Sequence, residues 1–248
     1  DFALRHFGTL LTPDQRSLPV DRLLSAVAMA ISSTTPNEPH RILAELPFSL
    51  FVTTSLNSFL SDTLRHAGKQ PDEIVLGLSG TSAAQPPTEP TPTRQPSTEP
   101  TPTRPLVYHF FGRLDNLQDS VVTEDDYFDF LIRYWRDRKD IPGVVQAALV
   151  NSSLLFLGFK IHQWDFRVLF RSLLAIEGAK RRSRHMHVAV QVDPDDDQVT
   201  DPDRARNYLE RYFHRFAEKL GVGTQVIIFW GSAQDFLQEL KAQSDKTP

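Results

Sequence analysis

The sequence contains no cysteine, and only 11 of its 248 residues are glycine. The absence of cysteine excludes disulfide bonds, thiolate catalysis and every cysteine-ligated zinc or iron–sulfur centre. A cysteine-free chain fits a reducing compartment, so we expect a cytoplasmic protein. Neither a G-x-G-x-x-G fingerprint nor a P-loop occurs. The nearest match, Gly221-Val222-Gly223, precedes an apolar run, whereas a phosphate-binding loop follows one.

Long hydrophobic runs and a strong charge imbalance are lacking as well. No apolar run approaches the roughly 18 residues that a membrane-spanning helix needs, and the chain does not start with the basic and apolar pattern of a signal peptide. The formal net charge is only −4, with both signs mixed along the chain, which argues against a nucleic-acid binder. We therefore expect no membrane and no direct nucleic-acid partner, and we predict one α/β domain over residues 1–248.

Aromatic residues are missing from one internal segment that is rich in proline. Between Ser79 and Pro105 there is no aromatic residue, and the heptamer Thr-Glu-Pro-Thr-Pro-Thr-Arg occurs at 88–94 and again at 98–104. Proline removes backbone donors, and such a segment has too little apolar surface to offset the entropy of ordering it. We predict a disordered insertion at 79–105. A polyproline ligand for an aromatic groove is the alternative.

Strand-like and helix-like patterns alternate along most of the remaining sequence. Thr123 and Asp126 form a capping box at the start of one predicted helix. The alternation predicts an α/β fold in which helices cover both faces of a Rossmann-like parallel sheet. Predicted strands lie at 48–54, 73–78, 106–111, 154–159, 187–192 and 225–230, and predicted helices at 20–31, 40–46, 57–66, 124–136, 142–150, 165–176, 203–220 and 233–240.

Ligands of such folds bind at the carboxyl ends of the parallel strands. His109 and Gly112 mark the end of the predicted strand at 106–111, and the topology brings them near Thr54 and Ser55, where an imidazole can act as a general base. The alternative is a histidine packed within a layer of side chains. The candidate segments directly after the strands are 53–57, 111–113, 158–160, 191–193 and 230–232.

A metal site is the second chemistry that the sequence suggests. His185 and His187 alternate on one predicted strand, and the acidic run at 193–197 follows it. Histidine and carboxylate side chains can bind a metal ion. The same residues also fit a polar sheet face followed by a solvated acidic turn, and we predict no metal.

Together, these post-strand segments resemble the bacterial sirtuin-like domain family. Classical sirtuins have a four-cysteine zinc ribbon, so the cysteine-free chain resembles the zinc-free branch. That branch is common in bacterial antiviral effectors that hydrolyse NAD. The resemblance implies NAD or ADP-ribose as ligand, a sensor or nucleotide-switch domain as partner, and a homo-oligomer. The matching segments are FVTTSLNSFL (51–60), VYHFFGRLD (107–115), VVTEDDYFDFL (121–131), LLFLGFKIHQWDFRVLF (154–170) and IIFWGSAQDFLQEL (227–240).

The resemblance also implies roles for individual residues. The family's T-T-N-x-D motif, which holds the nicotinamide riboside and the attacking water, falls on residues 53–57, with Ser55 and Asn57 in place of Asn and Asp. The H-G motif, whose histidine acts on the ribose hydroxyls, falls on Phe111 and Gly112. His109 stands two residues earlier on the same strand face. We assign catalysis to His109, Ser55 and Asn57. We assign ligand binding to Thr53, Thr54, Gly112, Gly158, Phe159, Gln191, Asp193, Gly231 and Ser232.

One part of the family pattern has no counterpart. The family opens with a strand and a G-A-G-x-S loop that cradles the NAD diphosphate, and no such loop precedes Phe48. We expect a fragment of a longer protein, or a domain without its first βα unit. Three hypotheses follow: a hydrolase that releases nicotinamide and ADP-ribose; a degenerate module for nucleotide binding, oligomerisation or protein interaction; and a protein deacylase, which is the weakest because no zinc module frames an acyl-peptide cleft.

Overall fold

The computed structural model describes residues 38–83, 99–136, 141–160, 187–193, 200–220 and 225–246. The chain divides into two compact units, Asp1–Val145 (unit 1) and Gln146–Pro248 (unit 2). Unit 1 contains α1 (Pro39–Glu45), β1 (Leu50–Thr53), α2 (Phe59–His66), β2 (Asp72–Gly77), β3 (Gly80–Ala83), β4 (Leu106–His109), a 3₁₀ segment (Leu114–Asp119) and α3 (Glu124–Arg136). The helix α4 (Gly143–Asn151) spans the boundary in sequence. Unit 2 contains β5 (Leu154–Lys160), β6 (His187–Asp193), α5 (Pro202–Leu220), β7 (Gln225–Trp230) and α6 (Ala233–Ser244).

The sheet of unit 1 has the strand order β1-β4-β2-β3. Strand β4 lies between β1 and β2 and is parallel to both, whereas β3 runs antiparallel to β2. His109 at the end of β4 pairs with Thr53 of β1 and with Val75 of β2. The three parallel strands therefore end at one edge of the sheet, as the sequence predicts.

Helices cover both faces of this sheet. On one face, Phe51 of β1 and Val107 of β4 are buried with Leu64 of α2. On the other face, the ring of Phe110 lies 5.2 Å from that of Phe130 of α3, centroid to centroid. Successive side chains of a strand point to opposite faces, so α2 and α3 are separated by the sheet.

The capping box predicted for α3 is present. The Asp126 N–H donates to Thr123 Oγ1 at 3.1 Å, and the Thr123 N–H donates to an Asp126 carboxylate oxygen at 2.8 Å. Hydrogen bonds to the Asp126 carboxylate from the Thr123 N–H, the Thr123 side chain and the Val122 N–H lower the pKa of Asp126. The capping box satisfies backbone donors that the first turn of a helix otherwise leaves free. The helix begins at Glu124 and ends at Arg136, as predicted.

The sheet of unit 2 has the order β5-β6-β7, and all three strands are parallel. Its buried residues include Val190 and Val192 of β6, Phe213 of α5 and Leu237 of α6. Each strand begins within two residues of its predicted position. The predicted α/β class, with parallel strands flanked by helices, is confirmed in both units. The single domain over 1–248 stays a prediction.

The segment at 79–105 is described only at its two ends. There, Gly80–Ala83 form strand β3. These four residues lie inside the segment that the sequence predicts to be a disordered insertion. Small and polar residues give no strand signal of their own, and pairing with β2 decides their conformation. The residues between, 84–98, and the predicted helices at 20–31 and 165–176 lie outside the described residues. Within the described part of the chain, no helix is both long and apolar enough to span a membrane.

Candidate functional site

The carboxyl edge of unit 1 brings two predicted segments side by side. The Phe110 N–H donates to the Thr53 carbonyl oxygen at 2.8 Å, extending the ladder between β4 and β1. Further out, the Leu114 N–H donates to the Leu56 carbonyl oxygen at 2.9 Å. The segment after β1 and the segment after β4 thus form one surface, which parallel pairing of the two strands requires.

The segment after β1 is a tight turn that leads into α2. The Ser55 N–H donates to Thr53 Oγ1 at 3.1 Å, and the Phe59 N–H donates to Asn57 Oδ1 at 3.0 Å. Asn57 therefore serves the first turn of α2 through its side-chain oxygen, a common use of asparagine before a helix. Thr54 and Ser55 are exposed on the surface of the edge.

His109 lies inside unit 1. Its ring has no exposed surface, and Nε2 lies 3.2 Å from a carboxylate oxygen of Glu73 on β2. Because an ionised carboxylate only accepts, Nε2 carries the donated proton. The other nitrogen, Nδ1, is buried and has no hydrogen-bond partner among the described residues. A general base must come within hydrogen-bond reach of its substrate. The catalytic role of His109 stays a prediction.

Glu73 is the centre of a charge cluster that the sequence does not predict; three of its four side chains are buried or nearly so, and the fourth, Arg65, is exposed. The side chain of Glu73 is 6% exposed and also accepts hydrogen bonds from Arg65 of α2 and from Arg113 of the segment after β4. We call Arg65, Glu73, His109 and Arg113 the Glu73 cluster. Burial raises the pKa of Glu73, but the hydrogen bond from His109 and the charges of Arg113, Arg65 and His109 outweigh it and lower the pKa to about 2. A carboxylate at the start of an apolar strand was the signal available in the sequence.

The Glu73 cluster joins α2, β2 and the segment after β4 to one another. Arg65 also pairs with Asp62 of α2 at 2.8 Å, and Arg113 pairs with Asp115 at 3.1 Å. The carboxylate of Glu73 thus holds α2 and the segment after β4 against β2. Both of these elements flank the segments to which the sequence analysis assigns catalysis.

Phe111, which the resemblance predicts to stand in place of the family's motif histidine, is a packed aromatic ring. Phe111 lies 5.5 Å from Tyr127 and 5.2 Å from Phe130, both of α3, measured between ring centroids. Next to it, Gly112 has φ +88°, and a Cβ there would lie 2.6 Å from the Cα of Ser120. Glycine is required at this turn, and Phe111 fixes the turn to α3.

The carboxyl edge of unit 2 brings together three other predicted residues. Gln191 near the end of β6 is 1% exposed. Its Oε1 accepts from the Gly158 N–H at 2.7 Å, and its Nε2 donates to the Gly231 carbonyl oxygen at 2.7 Å. Gly158 within β5 and Gly231 directly after β7 are therefore joined across β6 by one side chain.

The remaining predicted residues of unit 2 have other placements. Ser232 caps α6: its Oγ accepts from the Asp235 N–H at 3.1 Å and donates to the Asp235 carboxylate at 2.7 Å. Phe159 pairs with Val192 in the sheet, and Asp193 pairs with Lys160. The side chains of Phe159 and Asp193 lie outside what the structure describes.

No metal centre is present among the described residues: no three histidine, aspartate or glutamate side chains there are grouped to hold an ion. Of the residues in the predicted metal alternative, His185 and residues 194–197 lie outside the described residues, as do the side chains of His187 and Asp193.

Comparison with known proteins gives consistent matches. A sequence profile of the family described as "SIR2-like domain" matches residues 49–217. Three curated relatives carry the name NAD(+) hydrolase ThsA. That of Cytobacillus dafuensis is 21% identical over 150 residues, covering 60% of this chain and 26% of the relative. That of Enterococcus faecium is 27% identical over 154 residues, covering 62% and 28%. That of Acinetobacter baumannii (strain 532279) is 22% identical over 228 residues, covering 91% and 42%. The chain thus spans less than half the length of these relatives.

Proposed function

The chain belongs to the SIR2-like domain family, and from that premise we propose that it binds NAD and hydrolyses it to nicotinamide and ADP-ribose. The observation that supports this most directly is the extent of the family match, 49–217, which includes the segments after β1, β4, β5 and β6. Three relatives named NAD(+) hydrolase match the same chain. In a parallel α/β fold, those segments form the ligand-binding edge.

The exposed turn after β1 supports a role for Ser55 at the scissile bond. Cleavage of the N-glycosidic bond of NAD develops positive charge on the ribose and needs a positioned water. The hydroxyl of Ser55 can orient that water, while Thr53 and Thr54 line the nicotinamide end. Asn57 accepts from the Phe59 N–H through Oδ1, so its Nδ2 group is left to donate to a ribose hydroxyl.

His109 contributes to this site from inside unit 1. Its Nε2 is engaged with Glu73, so a direct role as base requires Nδ1 to meet the substrate. Gly112 supports the same edge by allowing the tight turn after Phe111. In unit 2, we propose that Gly158, Phe159, Gln191, Asp193, Gly231 and Ser232 build the ligand-binding edge, as the family resemblance implies.

We extend the proposal to the setting of the protein. A defence-type effector in the bacterial cytoplasm, joined to a sensor or nucleotide-switch domain and assembled as a homo-oligomer, fits the family resemblance. Size-exclusion chromatography with and without NAD tests the assembly, and a fixed monomer in both conditions would contradict it.

A degenerate, non-catalytic module is the second candidate. The packing of Phe111 against Tyr127 and Phe130 favours it, because this position would supply the family's histidine. Losing a general base typically slows a reaction about 10²–10⁴-fold. In this case the protein binds NAD or ADP-ribose without turnover and serves as a nucleotide-binding or assembly element.

Nicotinamide release and ADP-ribose binding together decide between the two candidates. We would measure both for the wild type, Ser55→Ala and His109→Gln, with Thr101→Ala as the control. Thr101 is exposed and lies before β4, near the amino end of that strand. Release that is lost in Ser55→Ala and kept in Thr101→Ala supports the hydrolase. Binding without release supports the degenerate module, and neither release nor binding would refute both.

A further inference from the structure

Strand β5 contains a bulge at the ligand edge of unit 2. Phe156 pairs with Val190 and Phe159 pairs with Val192, so Leu157 and Gly158 together face the single residue Gln191. A bulge of this kind leaves one residue without its ladder hydrogen bond and bends the strand. Gly158 has φ +80°, which glycine adopts without the steric cost that a side chain would add.

The side chain of Gln191 supplies the hydrogen bond that the bulge removes. Gly158 offers an N–H donor, which Oε1 accepts, and Gly231 offers a carbonyl acceptor, to which Nε2 donates. Because one neighbour only donates and the other only accepts, the orientation of the amide is fixed. A side chain at this position must therefore accept and donate at once. A methionine would leave the Gly158 N–H and the Gly231 carbonyl without this partner, and a carboxylate would face the Gly231 carbonyl without a proton.

The far end of this bridge is also fixed. The Gly231 N–H donates to the Val192 carbonyl oxygen at 3.1 Å, and a Cβ at Gly231 would lie 2.8 Å from a ring carbon of Phe229. The turn after β7 is thus held against β6 by its backbone and by Gln191. The buried Gln191 amide sets the spacing between the bulge of β5 and the turn after β7.

We propose that Gln191 is a positioning residue: it fixes the bulge of β5 and the turn after β7 relative to each other, and these two backbone segments, not the Gln191 side chain, contact the ligand. The 1% exposure of Gln191 and the use of both ends of its amide support this assignment. The part that concerns the ligand rests on the proposed function. The bridge itself does not.

Hydrogen exchange tests the bridge without a ligand. In Gln191→Met, we expect the Gly158 amide to exchange at least about tenfold faster, because the hydrogen bond that it donates to the Gln191 side chain is lost. Exchange in β4 of unit 1 should not change. Gln243→Met is the matched control, since it makes the same replacement at an exposed position of α6. Unchanged exchange at Gly158 in a folded Gln191→Met protein would overturn the bridge.

Calorimetric titration with ADP-ribose tests the positioning role. Gln191→Glu can both accept and donate only when its carboxyl group is protonated. We therefore expect ADP-ribose affinity close to that of the wild type at acidic pH and at least about tenfold weaker once the carboxyl ionises. The wild type at each pH gives the baseline, and Gln191→Met should be weak at every pH. A role limited to packing would not restore affinity on acidification.

The outcomes separate this inference from the proposed function. If the wild type does not bind ADP-ribose, the proposed function fails, and the exchange at Gly158 still decides the bridge. If the wild type binds and both Gln191 variants bind equally well at all pH values, the positioning role is wrong. Should Gln191→Met fail to fold, Gln191→Glu compared at low and neutral pH decides both points.

Discussion

Replacing Glu73 with glutamine should destabilise unit 1 strongly at neutral pH. The side chain of Glu73 is 6% exposed and accepts hydrogen bonds from Arg65, Arg113 and His109. Glutamine has nearly the same shape but no charge, so two guanidinium groups would remain beside a neutral amide. Removing one partner of a buried ion pair is costly because the remaining charge is left without compensation.

The pKa of Glu73 gives the size of the effect. The lowering from 4.5 to about 2 is the net result of burial, which raises the pKa, and of the His109 hydrogen bond and the Arg113 and Arg65 charges, which lower it. At about 1.4 kcal/mol per pH unit, this corresponds to about 3 kcal/mol of stability from the ionised carboxylate. Breaking buried pairs typically costs about 3–5 kcal/mol, which agrees.

The pH dependence of this stabilisation has a definite sign. A carboxylate whose folded-state pKa is lowered contributes fully above its ordinary pKa and loses that contribution as the pH falls through the folded-state value. For Glu73, this window runs from about 4.5 down to about 2. Glutamine does not titrate, so the difference between wild type and Glu73→Gln should be greatest at neutral pH and shrink across this window.

Urea unfolding of wild type and variant at several pH values measures both quantities. Asp72→Asn is the matched control, because Asp72 precedes Glu73 on β2 and pairs with Arg104 at the surface. Exposed pairs contribute little, so this control should lose much less stability. The reasoning is wrong if Glu73→Gln is as stable as the wild type at neutral pH, or if the gap does not change with pH.

Three further substitutions have definite expected outcomes. Gly112→Ala should lower the melting temperature, because φ is +88° and the new Cβ would lie 2.6 Å from the Cα of Ser120; an unchanged melting curve would contradict this. Thr123→Ala should lower the free energy of unfolding by about 1 kcal/mol, because Thr123 Oγ1 accepts a hydrogen bond from the Asp126 N–H at the start of α3. An unchanged free energy in chemical unfolding would mean that this cap is not formed. Leu64→Ala should lower the free energy of unfolding by about 2–5 kcal/mol, since Leu64 is fully buried against Phe51 and Val107. A loss below about 1 kcal/mol would be inconsistent with that packing.

Local patterns in the sequence predict much of the fold. The apolar spacing and the Thr123–Asp126 capping box locate α3, and the apolar run QVIIFW locates β7. Alternation of strands and helices predicts the parallel pairing that brings the segment after β1 beside the segment after β4. These features depend on residues close together in the chain, so their signals are visible without a structure.

The contacts that the sequence does not reveal join distant residues. Parallel pairing of β2 and β4 places Val75 opposite His109. Glu73 lies two residues before Val75 on the same face of the sheet, and its side chain therefore reaches His109. Gln191 reaches Gly158 because of a bulge in a neighbouring strand. Both contacts depend on strand register, and no local sequence pattern predicts which side chain a buried polar group will contact. Strand β3 was missed for the same reason, since its pairing with β2 determines it.

The antiparallel strand β3 places both ends of the proline-rich segment at the same end of the sheet. Ala83 pairs with Ile74, and on the far side the Asp72 N–H donates to the Pro105 carbonyl oxygen at 2.9 Å. The segment therefore leaves and rejoins the sheet near the amino end of β2, opposite the edge that holds Thr54 and Ser55. An affinity tag or a protease site introduced between residues 84 and 98 would therefore be joined to unit 1 at two attachment points that are both remote from Thr54 and Ser55.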